Sequence, residues 1–559
     1  MLFKKEYVII KLALPVKAIC AISSVWIEYR IPIPLVVGSN PSWRAKTKTT
    51  ARWFFVLERY RGAEKSRCIP KGRHQVGAII NRPSKQPKTM ARRVNTIRPY
   101  GLITVFTHPH KLIIYSCKVT LSMLQYYNKT FTKEIFMHIE TKCIQSGYEP
   151  KSGEPRVLPI YQSTTYKYDS SEDLGALFDL KLDGHMYTRI SNPTVAAVEA
   201  KLSDLEGGVG ALCTSSGQAA NFIALTNIAK AGDNFVSLAS IYGGTVNLFA
   251  VTMKKLGIEV RFVTPDMSDE EIEARFDDRT RALFGETIAN PALTVLDIER
   301  FAGLAHRKGV PLMVDNTFAT PVLCRPFEFG ADIVIHSTTK YLDGHAQTVG
   351  GVIIDSGNFD WEKGGKYPEL TTPDDSYHGV VYTRDFGKAA YITKARVQMM
   401  RDLGMTPAPM NAYIMNLGTE TLALRMERHS ENALKVAEFI SKSDKIEAVY
   451  YPGLKGDKYY ERAQKYLPRG TSGVIGISIK GGRTNAVKFM DALELASNEV
   501  HVADIRTCVL HPASATHRQL TDEQLAAAGI DGGLIRLSVG LENVDDIIAD
   551  IEKGFAAID

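Results

Sequence analysis

From residue 198 onward, short apolar stretches alternate along the chain with longer stretches in which apolar and polar residues are mixed. The apolar stretches predict buried strands at "GALCTSS", "NFVSLAS", "IEVRFVT", "TRALFGE", "VPLMVD" and "ADIVIHST". The stretches between them predict helices at "QAANFIALTNIAKAG", which Gly232 would close, and at "TVNLFAVTMKKLG", "SDEEIEARFD" and "LDIERFAGLAHRKG". Apolar strands separated by such helices are typical of a mostly parallel sheet that is covered on both faces. The pattern therefore predicts an α/β fold.

Polar clusters follow three of these predicted strands. The chain reads Ser215-Ser216-Gly217 after the first strand, Asp315-Asn316-Thr317 after the fifth, and Ser337 to Lys340 after the sixth. Each cluster by itself is most often a turn, a helix cap or a solvated charge. In parallel sheets, however, ligands bind at the carboxyl ends of the strands. We therefore expect the three clusters to meet at one edge of the sheet and to form a ligand site.

Lys340 stands in "VIHSTTKYLDGH", behind a run of hydroxyl residues. A lysine that attacks a carbonyl carbon must first lose its proton, and desolvation or a neighbouring cation lowers the pKa of such lysines. We interpret Lys340 as the amine that forms a Schiff base with an aldehyde. Ser337 and Thr339 would donate hydrogen bonds to a phosphate group on the same molecule.

The other two clusters supply what a phosphorylated pyridine aldehyde needs besides an amine. Backbone N–H groups of Gly217 and Gln218, at a predicted helix N-terminus, would bind the phosphate. The carboxylate of Asp315 would keep the ring nitrogen protonated, so that the ring can accept electrons. The order of strand–SSGQ, strand–Asp and strand–Lys is that of pyridoxal phosphate enzymes with the large aminotransferase-like fold. The predicted cofactor is therefore pyridoxal 5′-phosphate.

Charge divides the chain into two unlike pieces. The net charge of +7 combines about +20 in residues 1–136, which lack Asp altogether, with about −13 in residues 137–559. We call residues 1–136 the basic extension and expect it to be loosely ordered and not part of the enzyme. The favoured explanation is upstream sequence carried into the reading frame, with Met137 as the start. A transit peptide and a nucleic-acid-binding arm stay open.

Cysteine spacing and hydropathy argue against several other classes of protein. The seven cysteines form no C-x-x-C pair, which favours a reducing, cytoplasmic compartment. Cys508 and His511 stand near His501 and His517, but no second cysteine or carboxylate completes a zinc site, so no metal is predicted. The longest uncharged stretch of the basic extension, residues 31–43, is too short and too rich in proline to span a bilayer. We expect small-molecule substrates and neither nucleic acid nor membrane as partners.

Residues 137–559 resemble the Cys/Met-metabolism family of pyridoxal phosphate enzymes, and within it the O-acetylhomoserine sulfhydrylase branch. The matching stretches are "RVLPIYQSTTY", "YTRISNPT", "TSSGQAA", "IYGGTVNLF", "GETIANP", "VDNTFATP", "HSTTKYLDGH", "HPASATHRQL" and "LIRLSVGLEN". The resemblance implies the aminotransferase-like fold type I, with a mostly parallel large domain and a smaller α+β C-terminal domain. It implies an N-terminal segment at 137–197 that contacts a neighbouring subunit, a cofactor-binding domain at 198–400 and a C-terminal domain at 401–559.

The resemblance also implies roles for five further side chains. Tyr187 and Arg189 in "YTR" would reach the cofactor phosphate of a neighbouring subunit, so that a homo-oligomer is required for activity, and we expect a tetramer. Tyr242 would stack on the pyridine ring and assist proton transfer. Asn290 would lie near cofactor and substrate, and Arg536 would clamp the substrate carboxylate with its planar guanidinium.

The activity implied is replacement of the acetoxy group of O-acetylhomoserine by sulfide, which gives homocysteine and acetate. Two stretches favour this branch: an insert-like segment that begins "DSGNFDWEKGG", and "DIRTCVLHPASATH". The alternatives of the same chemistry are a cystathionine γ-synthase and a methionine γ-lyase. An alternative of another class is a regulatory or nucleic-acid-binding protein that uses the basic extension. The acyl group, acetyl or succinyl, and the thiol are left open.

Overall fold

The computed structural model describes residues 137–515 and 531–558, together with six short strands inside the basic extension. The basic extension and residues 137–559 are two separate compact units. The strands of the extension pair into three antiparallel two-stranded sheets: β1 (Lys11–Ala13) with β4 (Gln75–Gly77), β2 (Glu28–Ile31) with β3 (Ala51–Phe54), and β5 (Leu102–His108) with β6 (Lys111–Ser116). The expectation of a loosely ordered extension concerns residues that mostly lie outside the described ones.

The second unit is built around a seven-stranded sheet whose strand order is β7-β13-β12-β11-β10-β8-β9. The strands are β7 (Gly210–Thr214), β8 (Asn234–Leu238), β9 (Glu259–Val263), β10 (Thr280–Glu286), β11 (Leu312–Asp315), β12 (Ile333–His336) and β13 (Gly351–Asp355). Nearly all side chains of the central strands are buried, as expected for apolar strands covered on both faces. All six predicted strands are confirmed.

Strand β13 is an element that the sequence pattern did not predict. It pairs antiparallel with β12 on one side and with β7 on the other, whereas β8 to β12 pair in parallel. Its five residues form a short apolar run, which hydrophobic periodicity alone does not assign to a strand or a helix. Because β13 runs antiparallel to both β7 and β12, these two strands are parallel to each other and end at the same edge of the sheet.

Helices connect and cover these strands. They are α1 (Ile139–Gln145), α2 (Ser171–Phe178), α3 (Pro193–Glu206), α4 (Gly217–Thr226), α5 (Gly243–Asn247) with a π-helix at Leu248–Met253, α6 (Asp269–Glu273), α7 (Ile298–Arg307) and α8 (Thr320–Leu323) with a 3₁₀ turn at Pro326–Phe329. The predicted helix that Gly232 would close ends earlier, at Thr226. The reason lies at Asn227, whose side-chain amide donates to Tyr391 O at 3.0 Å and whose carbonyl accepts from Lys394 Nζ at 2.8 Å.

The segment after β13 is made of short helical turns and leads into two long helices. The turns are 3₁₀ at Lys363–Gly365, Asp375–Tyr377 and Gly387–Ala389, α9 (Pro368–Thr371), α10 (Tyr382–Phe386), α11 (Ala390–Lys394) with a π-helix at Ala395–Met400, and α12 (Arg401–Leu403). Helices α13 (Pro409–Glu420) and α14 (Leu422–Ile440) follow. No helix of the described residues is long and apolar enough to cross a membrane.

A second sheet of five strands carries its own hydrophobic cluster. Its order is β14-β15-β18-β17-β16, with β14 (Ile446–Tyr450), β15 (Val474–Ile479), β16 (Ser497–Asn498), β17 (Cys508–Leu510) and β18 (Leu534–Ser538), packed with α15 (Tyr460–Tyr466), α16 (Gly482–Asp491) and α17 (Val544–Ala556). The predicted fold class is confirmed, with a mostly parallel large sheet and a smaller α+β part. The boundaries at residues 197 and 400 stay predictions, because residues 137–559 form one compact unit.

Candidate active site

A cavity of about 220 Å³ lies at the carboxyl ends of the large sheet. Most of the residues predicted to form the site line it, namely Gly217, Gln218, Tyr242, Asn290, Asp315, Ser337, Thr339, Lys340 and Arg536. The remaining lining residues are Ser216, Asn221, Thr245, Glu286, Ile288, Thr317, Phe318, Val349, Val500 and Val502. The three polar clusters therefore meet at one edge, as the strand pattern predicted.

Helix α4 begins at this cavity with Gly217. The hydroxyl of Ser216 caps the helix by accepting a hydrogen bond from Ala219 N at 3.1 Å. A Cβ atom on Gly217 would lie 2.7 Å from Cβ of Ser337, so only glycine lets the two backbones approach this closely. The first N–H groups of a helix have no partner within it and attract anions. Gly217 and Gln218 could thus bind a phosphate next to the end of β12.

Two side-chain amides near the start of α4 have carbonyl oxygens that accept no hydrogen bond from the described residues. Gln218 Nε2 and Asn221 Nδ2 donate to Oγ1 of Thr245 at 3.2 and 3.4 Å. Their carbonyl oxygens are buried without a hydrogen-bond partner among the described residues. The hydroxyl of Thr339 is already engaged with the backbone of Gly350, at 3.2 Å to O and 3.1 Å to N. A ligand would have to compete for that hydroxyl, which the sequence interpretation did not foresee.

Asp315 faces the cavity from the end of β11. Its Oδ1 accepts hydrogen bonds from Thr317, at 3.0 Å from N and 2.5 Å from Oγ1, and that hydroxyl in turn accepts from Ser337 N at 2.8 Å. Burial raises the pKa of Asp315 above its ordinary value, against the opposing effect of the bonds from Thr317. A carboxylate in this position would be stabilised by a cationic partner in the cavity.

Glu286 is a second carboxyl at this place, and the sequence interpretation assigned it no role. It pairs with Asp315 in the register of β10 and β11. Its oxygens accept from the backbone N–H groups of Tyr242 at 2.7 Å and Asn290 at 3.3 Å. Burial, and then the charge of Asp315, raise the pKa of Glu286 well above its ordinary value. Two carboxyls side by side fit a protonated ring nitrogen, which would supply the missing positive charge.

Lys340 lies beside these groups, with Nζ 3.4 Å from Nδ1 of His501. Burial, and then the nearby charge of Arg536, lower the pKa of Lys340 from 10.5 to about 8. Desolvation and a neighbouring cation are the two causes expected to lower the pKa of a lysine that attacks a carbonyl carbon. An amine with such a lowered pKa is unprotonated far more often near neutral pH than an ordinary lysine, which suits Schiff-base formation.

Arg536 enters the cavity from the middle of β18. Its Nη1 donates to Asn290 Oδ1 at 3.4 Å, and its Nη2 donates to the carbonyls of Val500 at 3.2 Å and His501 at 2.9 Å. Its Nε is buried and has no partner among the described residues. Burial lowers the pKa of the guanidinium. A substrate carboxylate could bind here and satisfy the open donor.

Tyr242 and two residues of the N-terminal segment differ in their relation to the cavity. The ring of Tyr242 lines the cavity and is 48% exposed, so it is free to contact a ligand. Tyr187 and Arg189 do not line it. Tyr187 is 43% exposed, and the guanidinium of Arg189 lies 5.5 Å from the Tyr187 ring centroid and donates to the carbonyl of Arg401. That these two residues serve a neighbouring subunit stays a prediction.

The cysteine and histidine residues considered for zinc have other contacts. Cys508 Sγ lies 3.4 Å from His501 O, and His511 bonds to Ser514 Oγ and Gly532 O, both at 2.8 Å. Within residues 137–515 and 531–558, no group of three or more His, Cys, Asp or Glu could hold a metal ion. The four cysteines described there are all free. His517 lies outside the described residues.

Comparison with known proteins points to one family. A sequence model described as "Cys/Met metabolism PLP-dependent enzyme" matches residues 140–556. An O-acetyl-L-homoserine sulfhydrylase of Leptospira meyeri is 48% identical over 430 residues, 75% of this chain and 97% of the relative. A Campylobacter jejuni structure assigned as an O-acetylhomoserine (thiol)-lyase and carrying N′-pyridoxyl-lysine-5′-monophosphate is 36% identical, with a TM-score of 0.72 over 75% of this chain and all of the other. A cystathionine γ-lyase of Lactobacillus plantarum, solved with L-serine, is 29% identical, with a TM-score of 0.64 over 76% of this chain and 99% of the other.

The cavity fits the cofactor of that family. The start of α4 against Ser337 offers a seat for a phosphate, the neighbouring carboxyls of Asp315 and Glu286 suit a protonated ring nitrogen, and the amine of Lys340 has a pKa lowered to about 8. Pyridoxal phosphate has each of the three groups that these features call for. The chain belongs to the Cys/Met-metabolism family of pyridoxal phosphate-dependent enzymes.

Proposed function

We propose that this enzyme replaces the γ-acetoxy group of O-acetylhomoserine by sulfide, giving homocysteine and acetate. The observation that carries the proposal is the sulfhydrylase of Leptospira meyeri, which is matched over 97% of its length at 48% identity. The cavity supports it, since an amine, a carboxyl pair and a buried guanidinium face one another there. An amino-acid substrate needs these three groups for attachment, electron withdrawal and orientation.

The side chains of the cavity divide the work as follows. Pyridoxal phosphate, held at Nζ of Lys340, would supply an electron sink for the electron pair released when a bond at Cα breaks. Asp315, with Glu286 beside it, would keep a proton on the ring nitrogen. Arg536 would bind the substrate carboxylate and so fix the direction of the Cα–H bond, which is a contribution of orientation. Tyr242 would cover the face of the ring.

Lys340 would then act as the base. With the substrate amine bound in place of Nζ, the freed amine of Lys340 would remove the proton at Cα. Departure of acetate from Cγ further requires loss of a proton at Cβ. After sulfide has added at Cγ, both carbons must receive a proton again, which Lys340 can deliver because its lowered pKa of about 8 lets it act as an acid and as a base near neutrality.

The choice of substrate is the part to be tested first. Initial rates should be measured with O-acetyl- and O-succinyl-homoserine, each with sulfide or with cysteine, and with methionine alone. We expect the pair of O-acetylhomoserine and sulfide to have the highest kcat/KM. A preference for O-succinylhomoserine with cysteine would instead indicate a cystathionine γ-synthase, and release of methanethiol from methionine would indicate a methionine γ-lyase.

We further propose a homo-oligomer, a tetramer of two active dimers, in which Tyr187 and Arg189 complete the phosphate site of the neighbouring subunit. Their position outside the cavity of their own chain supports this. Mixing Arg189→Ala with Lys340→Ala subunits should restore part of the activity, because one hybrid site then has both residues. The matched control mixes Asp315→Asn with Lys340→Ala, whose substitutions share one cavity, and should restore much less. Equal recovery in the two mixtures would contradict the shared site.

The basic extension, in this proposal, takes no part in catalysis, and the enzyme works on small molecules in the reducing cytoplasm. Supporting this, 75% of the chain accounts for 97% of the Leptospira relative. A chain of residues 137–559 should keep its cofactor, and its kcat should stay within about twofold of the full chain. If the shortened chain is insoluble or inactive, the extension belongs to the enzyme. Specific DNA or RNA binding by the full chain, but not by residues 137–559, would favour the nucleic-acid-binding alternative.

A further inference from the structure

The side chain of Glu286 bonds to two loops that come from different places in the chain. Glu286 ends β10, is 7% exposed and lines the cavity. Its Oε1 accepts a hydrogen bond from Tyr242 N at 2.7 Å, and its Oε2 accepts one from Asn290 N at 3.3 Å. Tyr242 stands between β8 and α5, whereas Asn290 lies in the loop after β10. One carboxyl group therefore ties both loops to the end of a central strand.

The two N–H groups depend on this carboxyl. Within residues 137–515 and 531–558, neither of them donates to a backbone carbonyl. Loss of the acceptor of a partly buried N–H group costs free energy, so the two bonds hold the loops in place. This role needs two acceptor oxygens and not a negative charge. It is thus compatible with the raised pKa of Glu286, because a neutral carboxyl group still has lone pairs on both oxygens.

The first loop carries the ring that would cover the cofactor. The ring of Tyr242 lies against Gly244, where a Cβ atom would lie 2.5 Å from Cε1 of the ring. Because the ring packs on the backbone of its own loop, its place in the cavity follows from the place of that backbone. The bond from Tyr242 N to Glu286 therefore helps to set where the ring lies.

The second loop meets the guanidinium that would bind the substrate carboxylate. Asn290 Oδ1 accepts a hydrogen bond from Arg536 Nη1 at 3.4 Å. The other hydrogen bonds of Arg536 among the described residues go to the carbonyls of Val500 and His501, in the C-terminal part of the chain. Asn290 thus links Arg536 to the part that carries the large sheet. A shift of the Asn290 backbone would change this contact.

We propose that Glu286 is a positioning residue, which sets the spacing between the Tyr242 ring and the pair of Asn290 and Arg536. It acts through its two hydrogen bonds to backbone N–H groups. This goes beyond its role beside Asp315, and it rests on the proposed function only in the choice of substrate. The group that would cover the ring and the group that would hold the carboxylate are then kept at one distance, as orientation of an amino acid requires.

Hydrogen–deuterium exchange of the cofactor-free full chain tests the two bonds apart from any activity. Mass spectrometry follows the peptides that contain Tyr242 and Asn290. Glu286→Ala removes both acceptors, so both amides should exchange at least about tenfold faster. Glu286→Gln keeps one acceptor oxygen, which should stay with Tyr242 because that bond is the shorter one, so only the Asn290 amide should exchange faster. Asp315→Asn, which changes the neighbouring carboxyl, is the matched control and should alter neither.

A double-mutant cycle then tests the path from Glu286 to the substrate. KM is measured with whichever amino-acid substrate the holoenzyme turns over fastest, so the result does not depend on the acyl group. Glu286→Gln and Asn290→Ala should each raise KM by about fivefold. The double variant should match Asn290→Ala within about twofold, since both substitutions break the same path. In the control cycle, the effects of Asp315→Asn and Asn290→Ala on KM should multiply.

The outcomes separate this proposal from the proposed function. Unchanged exchange at Asn290 in Glu286→Gln, equally fast exchange in Asp315→Asn, or effects of Glu286→Gln and Asn290→Ala that multiply would each overturn it. If Glu286→Ala is insoluble, the comparison of Glu286→Gln with Asp315→Asn still decides. The expected exchange and cycle, found in an enzyme that prefers another substrate to O-acetylhomoserine with sulfide, would refute the proposed function alone.

Discussion

The two walls of the cavity are built in different ways. The wall formed by the large sheet consists mainly of residues at or shortly after strand ends, with Asp315 at the end of β11 and Lys340 beyond β12. The opposite wall comes from the smaller sheet, with Arg536 in the middle of β18 and Val500 in a loop. We call them the sheet wall and the C-terminal wall. One carries the groups that would hold the cofactor, and the other carries the groups that would meet the substrate.

This difference has a physical origin. The position of a residue at a strand end depends on one strand and its neighbours, which backbone hydrogen bonds hold in register. The C-terminal wall depends on how the two sheets pack, and inside the cavity the walls meet through long contacts, Arg536 Nη1 to Asn290 Oδ1 and Lys340 Nζ to His501 Nδ1, both at 3.4 Å. We therefore expect substitutions in the sheet wall to lower kcat, and substitutions in the C-terminal wall mainly to raise KM.

The largest effect is expected at Lys340. Lys340→Ala should lower kcat by at least about 10³-fold, because both covalent attachment and proton transfer are lost. Lys394 is the matched control, since burial also lowers its pKa to about 8 but its Nζ bonds to Asn227 and lies away from the cavity. Borohydride reduction and peptide mapping of the holoenzyme should find the cofactor on Lys340. A label on Lys394 would contradict the assignment.

The carboxyl pair should show the next largest effect. Asp315→Asn should lower kcat by about 10²-fold, since a neutral amide cannot hold a proton on the ring nitrogen by charge. Glu286→Gln should cost less, about tenfold, because it changes the carboxyl whose oxygens are already bonded to backbone N–H groups. Steady-state rates and cofactor content check both variants. If Glu286→Gln proves the more damaging, the roles of the two carboxyls are reversed.

In the C-terminal wall, Arg536→Gln should raise KM for the amino-acid substrate by roughly 10- to 100-fold, with a smaller change in kcat. Arg536→Lys keeps the charge but loses the two-pronged geometry, so its KM should lie between that of the unsubstituted enzyme and that of Arg536→Gln. The measurement is a full kinetic profile at saturating sulfide. A fall in kcat with unchanged KM would show that the two walls do not divide the work as proposed.

The smallest expected effect is a change in the pH dependence of cofactor binding, which arises because Arg536 in the C-terminal wall lowers the pKa of Lys340 in the sheet wall. The rate at which the cofactor-free protein binds pyridoxal phosphate should rise with pH through a midpoint near 8, because the amine must lose its proton first and the pKa of Lys340 is lowered to about 8. Arg536→Gln removes a positive charge that lowers this pKa, so the midpoint should move upward. Stopped-flow absorbance at several pH values measures it. A midpoint that stays fixed would leave burial as the sole cause.

The same contrast explains what could be predicted from the sequence. Gly217, Asp315 and Lys340 stand at or shortly after the ends of apolar strands, so the rule for strand ends was enough to bring them together, and the fold class followed from the same alternation. Glu286 was missed because its importance depends on the register of β10 against β11. His501 was considered only for zinc, because it stands near Cys508 and His511 in the sequence. Its contact with Lys340 was missed because the two residues are distant in sequence and only the packing of the C-terminal part brings them together. Strand β13 was not predicted, because its short run of residues has no hydrophobic periodicity that distinguishes a strand from a helix.

The close approach of Gly217 to Ser337 has one more consequence. The start of α4 packs directly against Ser337, just beyond β12, so the phosphate seat and the backbone that carries Lys340 are in contact. The site therefore favours ligands in which the distance between the anionic group and the aldehyde carbon matches the distance between the phosphate seat and Lys340. We therefore expect phosphorylated aldehydes that are shorter or longer than this span to bind at the seat but to react more slowly with Lys340.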